Sequence, residues 1–221
     1  VIQFFLLYLY IWTVFPITHF KREQFDYITN YKKVSVYFFV ATIIPIIFFF
    51  NRLLPFVQNF SILPLVALLL FYIISLLLYK KTKPLYRDEF VKDYYPAVRS
   101  MAAMDNRYLL SKSFDIFFQE TLFIIWYSLL KDIGISMTYM IFISIFITAF
   151  THVCMFFFVK ESPQYVWYLT IASSSVAVFF PFLILTVAYG FFYTFIIHYF
   201  VGFIMQGVGL DILKAKTKFV N

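Results

Sequence analysis

The chain has 221 residues, of which 63% are hydrophobic and 13% are charged, and its mean hydropathy is +0.85. A soluble domain does not need so much apolar sequence, and several apolar runs exceed the length of ordinary core helices, so we predict an all-α, polytopic membrane helix bundle. The net charge of +7 would suit nucleic acid, but the charges lie between the apolar runs, where membrane topology explains them better.

Seven membrane spans are predicted, and they form a single domain, 1–221. In chain order the spans cover residues 1–17, 34–50, 61–79, 108–130, 137–159, 165–187 and 188–206. Pro45 lies inside the second span, where a membrane helix tolerates a kink. Residues 51–60 are predicted to be a short connection. The boundary between the last two spans is placed near Gly190, with Pro181 as the alternative.

The distribution of basic residues predicts the orientation of these spans. Arg52 and Lys131 stand alone on one side, and Lys112 lies inside the fourth span. The other side carries fifteen Lys and Arg residues, in segments 18–33, 80–107, 160–164 and 207–221. By the positive-inside rule the basic side is cytoplasmic, or its organellar equivalent, so the N-terminus of this multi-pass protein faces outside.

Three ionisable residues lie deep in predicted spans: Glu120, His152 and His198. Such groups are costly in hydrocarbon, so they face protein, water or a partner group. With ~1.5 Å of rise per residue, Glu120 lies roughly 18 Å from the cytoplasmic end of its span, His152 roughly 11 Å and His198 roughly 12 Å. All three therefore fall in the cytoplasmic half of the membrane, where they are able to meet.

Polar residues also recur on particular helix faces. The fifth span has Ser144, Thr148 and His152 at intervals of four, and the seventh has a similar stripe of Thr194, His198, Gly202 and Gln206. The fourth span has Asp115 and Gln119 on one face and Ser113, Glu120 and Tyr127 on an adjacent one. Because lipid offers no hydrogen bonds, these faces are predicted to meet, and Ser173, Ser174, Ser175 and Ala177 would let the sixth span pack closely.

Several interpretations of these polar groups stay open. They form either a functional cavity or buried contacts that hold the bundle together. Glu120 with two histidines also matches a metal site in ligand type, although no local motif such as HExxH accompanies it. For Asp115 an ion pair with Lys112 or a solvated position is expected.

The residues around these groups resemble the CPBP family of CAAX-prenyl proteases and bacteriocin-processing intramembrane proteases. That family carries EExxFR on one membrane helix, FxxxH on a later helix, and HxxxN or HxxxD on the last. Here the corresponding stretches are QETLFI at 119–124, TAFTH at 148–152 and HYFVG at 198–202. The spacing and the order of the spans are similar to the family's over residues 105–206.

The resemblance implies a hydrolase, an intramembrane endopeptidase that acts on peptide or prenylated-protein substrates without a cofactor or a metal. Glu120 would activate water, and His152 and His198 would position and stabilise the reacting groups. The sequence departs from the family at Gln119, Ile124, Thr148 and Gly202, where the family has Glu, Arg, Phe and Asn or Asp. The catalytic base is therefore in question, and a non-catalytic member of the family stays open.

Two further functions compete with this interpretation. One is a non-catalytic subunit or scaffold of a larger membrane complex, in which the polar core binds partner membrane helices. The other is an organelle-encoded respiratory subunit, since FFQETLFIIW at 117–126 resembles the Glu-bearing helix of cytochrome oxidase subunit III. In the last case His152 and His198 would be candidate haem ligands. All three place the chain in a lipid bilayer, and none involves nucleic acid.

Overall fold

A computed structural model describes residues 2–20, 27, 29–57, 66, 70, 73, 106–159 and 163–199. Within these ranges the protein is all-α and contains no strand. The predicted third span, the long basic segment 80–107 and the basic tail fall wholly or mostly outside the described residues.

The N-terminal part of the chain forms three helices: α1 (Ile2–Phe20), α2 (Tyr31–Phe48) and α3 (Phe50–Val57). Helix α2 runs through Pro45. The prediction that residues 51–60 form a connection was wrong for residues 51–57, which belong to α3. Apolar residues on one side of this stretch favour a helix that packs on the bundle, although the stretch also contains an arginine and a proline. Leu53 is buried in the core, and Phe56 packs against the core.

The two helices at the centre of the sequence follow the predicted spans closely. Helix α4 is Asn106–Asp132 and helix α5 is Met137–Val159. The turn between them contains Gly134 with a positive φ of 78°, a conformation that glycine adopts without strain.

The C-terminal part of the described chain is more broken than the sequence suggested. Helix α6 (Pro163–Ala177) is followed by α7 (Phe180–Thr186) and then by a helical segment, 190–199. The predicted sixth span, 165–187, is interrupted at residues 178–179, close to the alternative boundary at Pro181. Pro181 stands at the start of α7, where its missing N–H costs nothing because the first turn of a helix has no partner for that group.

A second break, at residues 187–189, turns the chain back on itself. The ring of His198 lies 5.9 Å from the ring of Phe180, although a continuous helix would separate these residues by ~27 Å. Tyr189 has a positive φ of 61°, and Gly190 brings the backbone against the carbonyl oxygen of Leu183. The predicted boundary near Gly190 therefore coincides with the place where the chain reverses.

Helix α4 lies at the centre of the packing. Its Phe118 is fully buried and contacts rings from both α1 and α2, at Tyr10 and Phe38. On another face of α4, Phe123 packs edge-on against Phe180 of α7. Because α4 contacts the other helices on several sides, the polar residues along it are brought close to polar residues from distant parts of the sequence.

Two helices in the described part of the chain are long and apolar enough to cross a membrane, namely Tyr31–Phe48 and Met137–Cys154. Shorter apolar helices lie at Ile2–Val14 and Ser173–Thr186. Helix α4 is long enough, but it carries several charged residues toward its two ends.

Candidate functional site

The candidate site is centred on Glu120 of α4. This side chain is fully buried, at 0% exposure. The Thr194 hydroxyl donates a hydrogen bond of 2.7 Å to Oε2, and Nδ1 of His198 lies 2.9 Å from Oε1. Both partners come from the segment 190–199, as the predicted polar stripe of that helix requires. Each carboxylate oxygen of Glu120 is therefore hydrogen-bonded to a side chain of the same neighbouring helical segment.

His198 connects this buried carboxylate to the surface of the bundle. A carboxylate oxygen accepts hydrogen bonds, so we assign a hydrogen to Nδ1 and let it donate to Glu120. The side chain of His198 is 26% exposed, and among the described residues nothing is hydrogen-bonded to its Nε2. An imidazole that is held at one nitrogen by a buried carboxylate and has no described partner at the other is able to take up and release a proton at Nε2.

The third predicted site residue, His152, is not part of this hydrogen-bonded pair. Its Nδ1 lies 2.8 Å from the carbonyl oxygen of Thr148, and its Nε2 lies 3.1 Å from the hydroxyl of Ser173 on α6. The structure thus joins Glu120 directly to His198 and gives His152 different hydrogen-bond partners.

A second polar cluster surrounds Asp115, one to two turns before Glu120 on α4. Asp115 is buried, at 2% exposure, and Lys112 forms an ion pair with it at 2.5 Å. The Tyr27 hydroxyl donates to Oδ2 at 2.9 Å and the Gln119 amide donates to Oδ1 at 2.7 Å. The expected ion pair with Lys112 is confirmed, and the alternative of a solvated Asp115 was wrong because donors from three residues replace water.

The Asp115 cluster also includes Gln119, the residue at the position of the first glutamate in the CPBP pattern that the sequence resembles. Its amide is tied to Asp115, away from the contacts that Glu120 makes. Ile124, at the position of the family arginine, is a buried core residue at 4% exposure. Gly202, at the position of the family amide or carboxylate, lies outside the described residues.

Tyr27, which lies between α1 and α2 in the sequence, contacts the start of α4. Its hydroxyl binds Asp115, and its backbone carbonyl accepts a hydrogen bond from Ser111 at 2.9 Å. Burial, and then the negative charge of Asp115, raise the pKa of the Tyr27 phenol well above its usual range. The phenol therefore stays protonated and remains a donor to Asp115. No local sequence pattern predicts this contact, because 88 residues separate the two positions.

Other predicted contacts among the polar stripes are present. The Ser144 hydroxyl of α5 lies 2.9 Å from the hydroxyl of Tyr127 on α4. Ser173 was predicted only as a small residue for close helix packing, and the structure adds its hydrogen bond to His152. Across the described ranges there is no group of three or more His, Cys, Asp or Glu residues arranged to hold a metal ion.

Comparisons of the chain with models of protein families, with curated protein sequences and with solved structures find no match. Over the described residues, fold and site define an all-α protein that has two helices long and apolar enough to cross a membrane and a buried glutamate hydrogen-bonded to a partly exposed histidine.

Proposed function

We propose that the chain is a multi-pass integral membrane protein with about seven spans, its N-terminus outside and its C-terminus in the cytoplasm or the organellar equivalent. The exposed surface of α5 supports this proposal. Only 11% of its apolar window, Met137–Cys154, is buried, whereas a core helix of a soluble protein is mostly buried. Phe142 and Phe146 are 63% and 68% exposed, and an exposed apolar surface of this kind is suited to contact with lipid.

Contacts at the two ends of the bundle support the same topology. At one end Arg52 forms an ion pair with Asp132 and donates to Gln3 at 2.9 Å. At the other end Tyr27 contacts Ser111 and Asp115. Seven alternating spans put Arg52, Asp132 and Gln3 on one side and Tyr27, Ser111 and Asp115 on the other, so the contacts agree with the proposed alternation of the spans.

We propose further that the protein is an intramembrane peptidase that cleaves peptide or prenylated-protein substrates, as the CPBP resemblance implies. The observation that carries this function is the hydrogen bond between buried Glu120 and half-buried His198. In the geometry of this pair, His198 Nε2 takes a proton from water while the oxygen of that water attacks the scissile carbonyl. Glu120 orients the ring and stabilises its positive charge, and Nε2 then returns the proton to the leaving amine.

This assignment changes the roles that the resemblance implies. Glu120 is fully buried and already accepts two hydrogen bonds, so His198 is the better placed proton acceptor. His152 is hydrogen-bonded to Thr148 and Ser173 instead of Glu120, so this proposal gives it no part in the proton transfer.

The test is cleavage of a fluorogenic prenylated peptide by the purified full chain in liposomes. We expect Glu120→Gln and His198→Gln each to lower kcat/KM by about 10²- to 10⁴-fold, the usual contribution of general acid–base catalysis. Asp132→Asn is the matched control, because it neutralises a carboxylate that is 53% exposed at the far end of the same helix. Normal cleavage by folded Glu120→Gln protein contradicts the proposal.

A second candidate function is a non-catalytic subunit or scaffold of a membrane complex. The hydrogen bonds that Glu120 accepts from Thr194 and His198 favour it, since this polar group already joins α4 to the segment 190–199. In that case the wild-type protein cleaves nothing, and Glu120→Gln lowers thermal stability and the yield of a co-purifying membrane protein.

A further inference from the structure

Ser173 differs from most other hydroxyl residues on these helices. Most helical Ser and Thr hydroxyls that the structure describes donate to a carbonyl three or four residues earlier, as Ser175 does to Ile171 at 2.8 Å. Ser173 makes its hydrogen bond with Nε2 of His152 instead, at 3.1 Å. Its hydroxyl is therefore directed at an imidazole on another helix and not at its own backbone.

The other nitrogen of His152 determines the direction of that hydrogen bond. Nδ1 lies 2.8 Å from the carbonyl oxygen of Thr148, and a carbonyl oxygen only accepts, so Nδ1 carries a hydrogen. In the neutral ring Nε2 is then the unprotonated nitrogen, and it accepts the hydrogen of the Ser173 hydroxyl. A serine that donates to an imidazole, itself oriented through its second nitrogen, has the arrangement of an activated nucleophile and its base.

Two more hydroxyls lie next to this pair. Thr148 precedes His152 by one turn on α5, and Ser174 follows Ser173 on α6. Within the described residues the Oγ1 atom of Thr148 and the Oγ atom of Ser174 are buried and have no hydrogen-bond partner. A buried hydroxyl without a partner is costly, so both are available to donate to a bound polar group such as a carbonyl oxygen.

We propose that Ser173 and His152 form a second reactive site, a nucleophile and base that take an acyl group from ester or amide substrates at the contact between α5 and α6. The inference requires nothing of Glu120, and it stands if the function proposed for the Glu120–His198 pair fails. Both residues are only partly buried, so the pair lies near the surface of the described bundle.

The reaction balances with water as the only co-reactant. Ser173 Oγ bonds to the carbonyl carbon while its proton passes to His152 Nε2. The bond from that carbon to the leaving oxygen or nitrogen then breaks, and the leaving group takes the proton from Nε2. Water next attacks the acyl-serine, gives one proton to Nε2, and displaces Ser173 Oγ, which recovers that proton.

The experiment uses a fluorophosphonate probe, which forms a bond between serine Oγ and phosphorus with loss of fluoride. Full-length protein in liposomes is treated with the probe, and the adduct is located by mass spectrometry. We expect the wild-type adduct on Ser173, no adduct there in Ser173→Ala, and labelling at least about 100-fold slower in His152→Ala, since a general base contributes at least that factor. Ser175→Ala is the matched control and labels like wild type.

The wild-type measurement does not depend on any variant folding correctly. Absence of a Ser173 adduct on folded wild-type protein overturns the proposal, and so does an adduct whose rate is unchanged in folded His152→Ala. Labelling of Ser173 in Glu120→Gln at the wild-type rate supports it and separates this site from the Glu120–His198 pair, whatever the peptidase assay shows.

Discussion

Nδ1 of His198 lies 2.9 Å from Oε1 of Glu120, although 78 residues separate the two along the chain. The contact exists because the chain turns back at residues 187–189 and lays the segment 190–199 against α4. The Glu120 carboxylate is fully buried, whereas the His198 ring is partly exposed. The carboxylate therefore holds the ring through Nδ1, and Nε2 is left to exchange a proton.

The hydrogen bond from Thr194 to Glu120 is predicted to stabilise the bundle measurably. Thr194→Val keeps the shape of the side chain and removes the donor, so we expect the free energy of unfolding to fall by about 0.6 kcal/mol, the average for such bonds between membrane helices, and by no more than about 1.7 kcal/mol. Thr194→Ser keeps the hydroxyl and serves as the control. Unfolding in bicelles measures both variants, and equal stability of the two would show that the hydrogen bond contributes nothing.

The ion pair between Lys112 and Asp115 is predicted to contribute much more to stability than an exposed charge at the end of the same helix does. Lys112→Met leaves a buried carboxylate without its cation, at a cost on the order of 3 kcal/mol. Lys131→Met removes an exposed lysine from the end of the same helix, and it should change stability by less than about 0.5 kcal/mol. The comparison of the two unfolding midpoints checks the prediction, and equal losses would contradict it.

Two glycines are predicted to respond very differently to alanine. A Cβ at Gly190 would lie 1.6 Å from the carbonyl oxygen of Leu183, so the backbone must shift, and we expect a loss of more than about 4 kcal/mol. At Gly134 a Cβ meets nothing within 4 Å, and only the positive φ of 78° is unfavourable, at about 1–2 kcal/mol. Thermal unfolding in detergent measures both, and a larger loss for Gly134→Ala would be inconsistent with the turn at 187–189.

The proposed orientation is testable by cysteine labelling. In a Cys154→Ala background, Lys32→Cys marks the start of α2 and Asp132→Cys marks the end of α4, and both positions are exposed. An impermeant maleimide should label Asp132→Cys from outside in intact cells, and Lys32→Cys only after permeabilisation. The reverse pattern would invert the orientation, and labelling of both from outside would mean that the two positions lie on the same side.

Much of the candidate site could be predicted because polar residues repeat with the period of the helix. The stripes predicted that Thr194 and His198 face the same way, and both contact Glu120. Ser144 likewise meets Tyr127. A polar group in an apolar helix has few acceptable neighbours, so its face is predictable even when its partner is not.

Other features could not be predicted from local patterns. The contact between Tyr27 and Asp115 depends on how distant segments pack, and nothing near either residue encodes it. The break before α7 lies close to Pro181, which the sequence offered only as an alternative boundary, because a membrane helix tolerates proline either as a kink or as a first-turn residue. Likewise, the small size of Ser173 predicted close packing but not its hydrogen bond to His152.

The long sequence separation within the Glu120 site has a consequence for biosynthesis. Thr194 follows Glu120 by 74 residues, so during translation at about 5–20 residues per second Glu120 is present in the chain for about 4–15 s before that partner exists. A chain that inserts as it is made must keep this carboxyl group hydrated or bound by the insertion machinery for that time. Truncated nascent chains that end before residue 190 should therefore remain associated with the translocon, and release into the bilayer should follow the synthesis of the segment that carries Thr194 and His198.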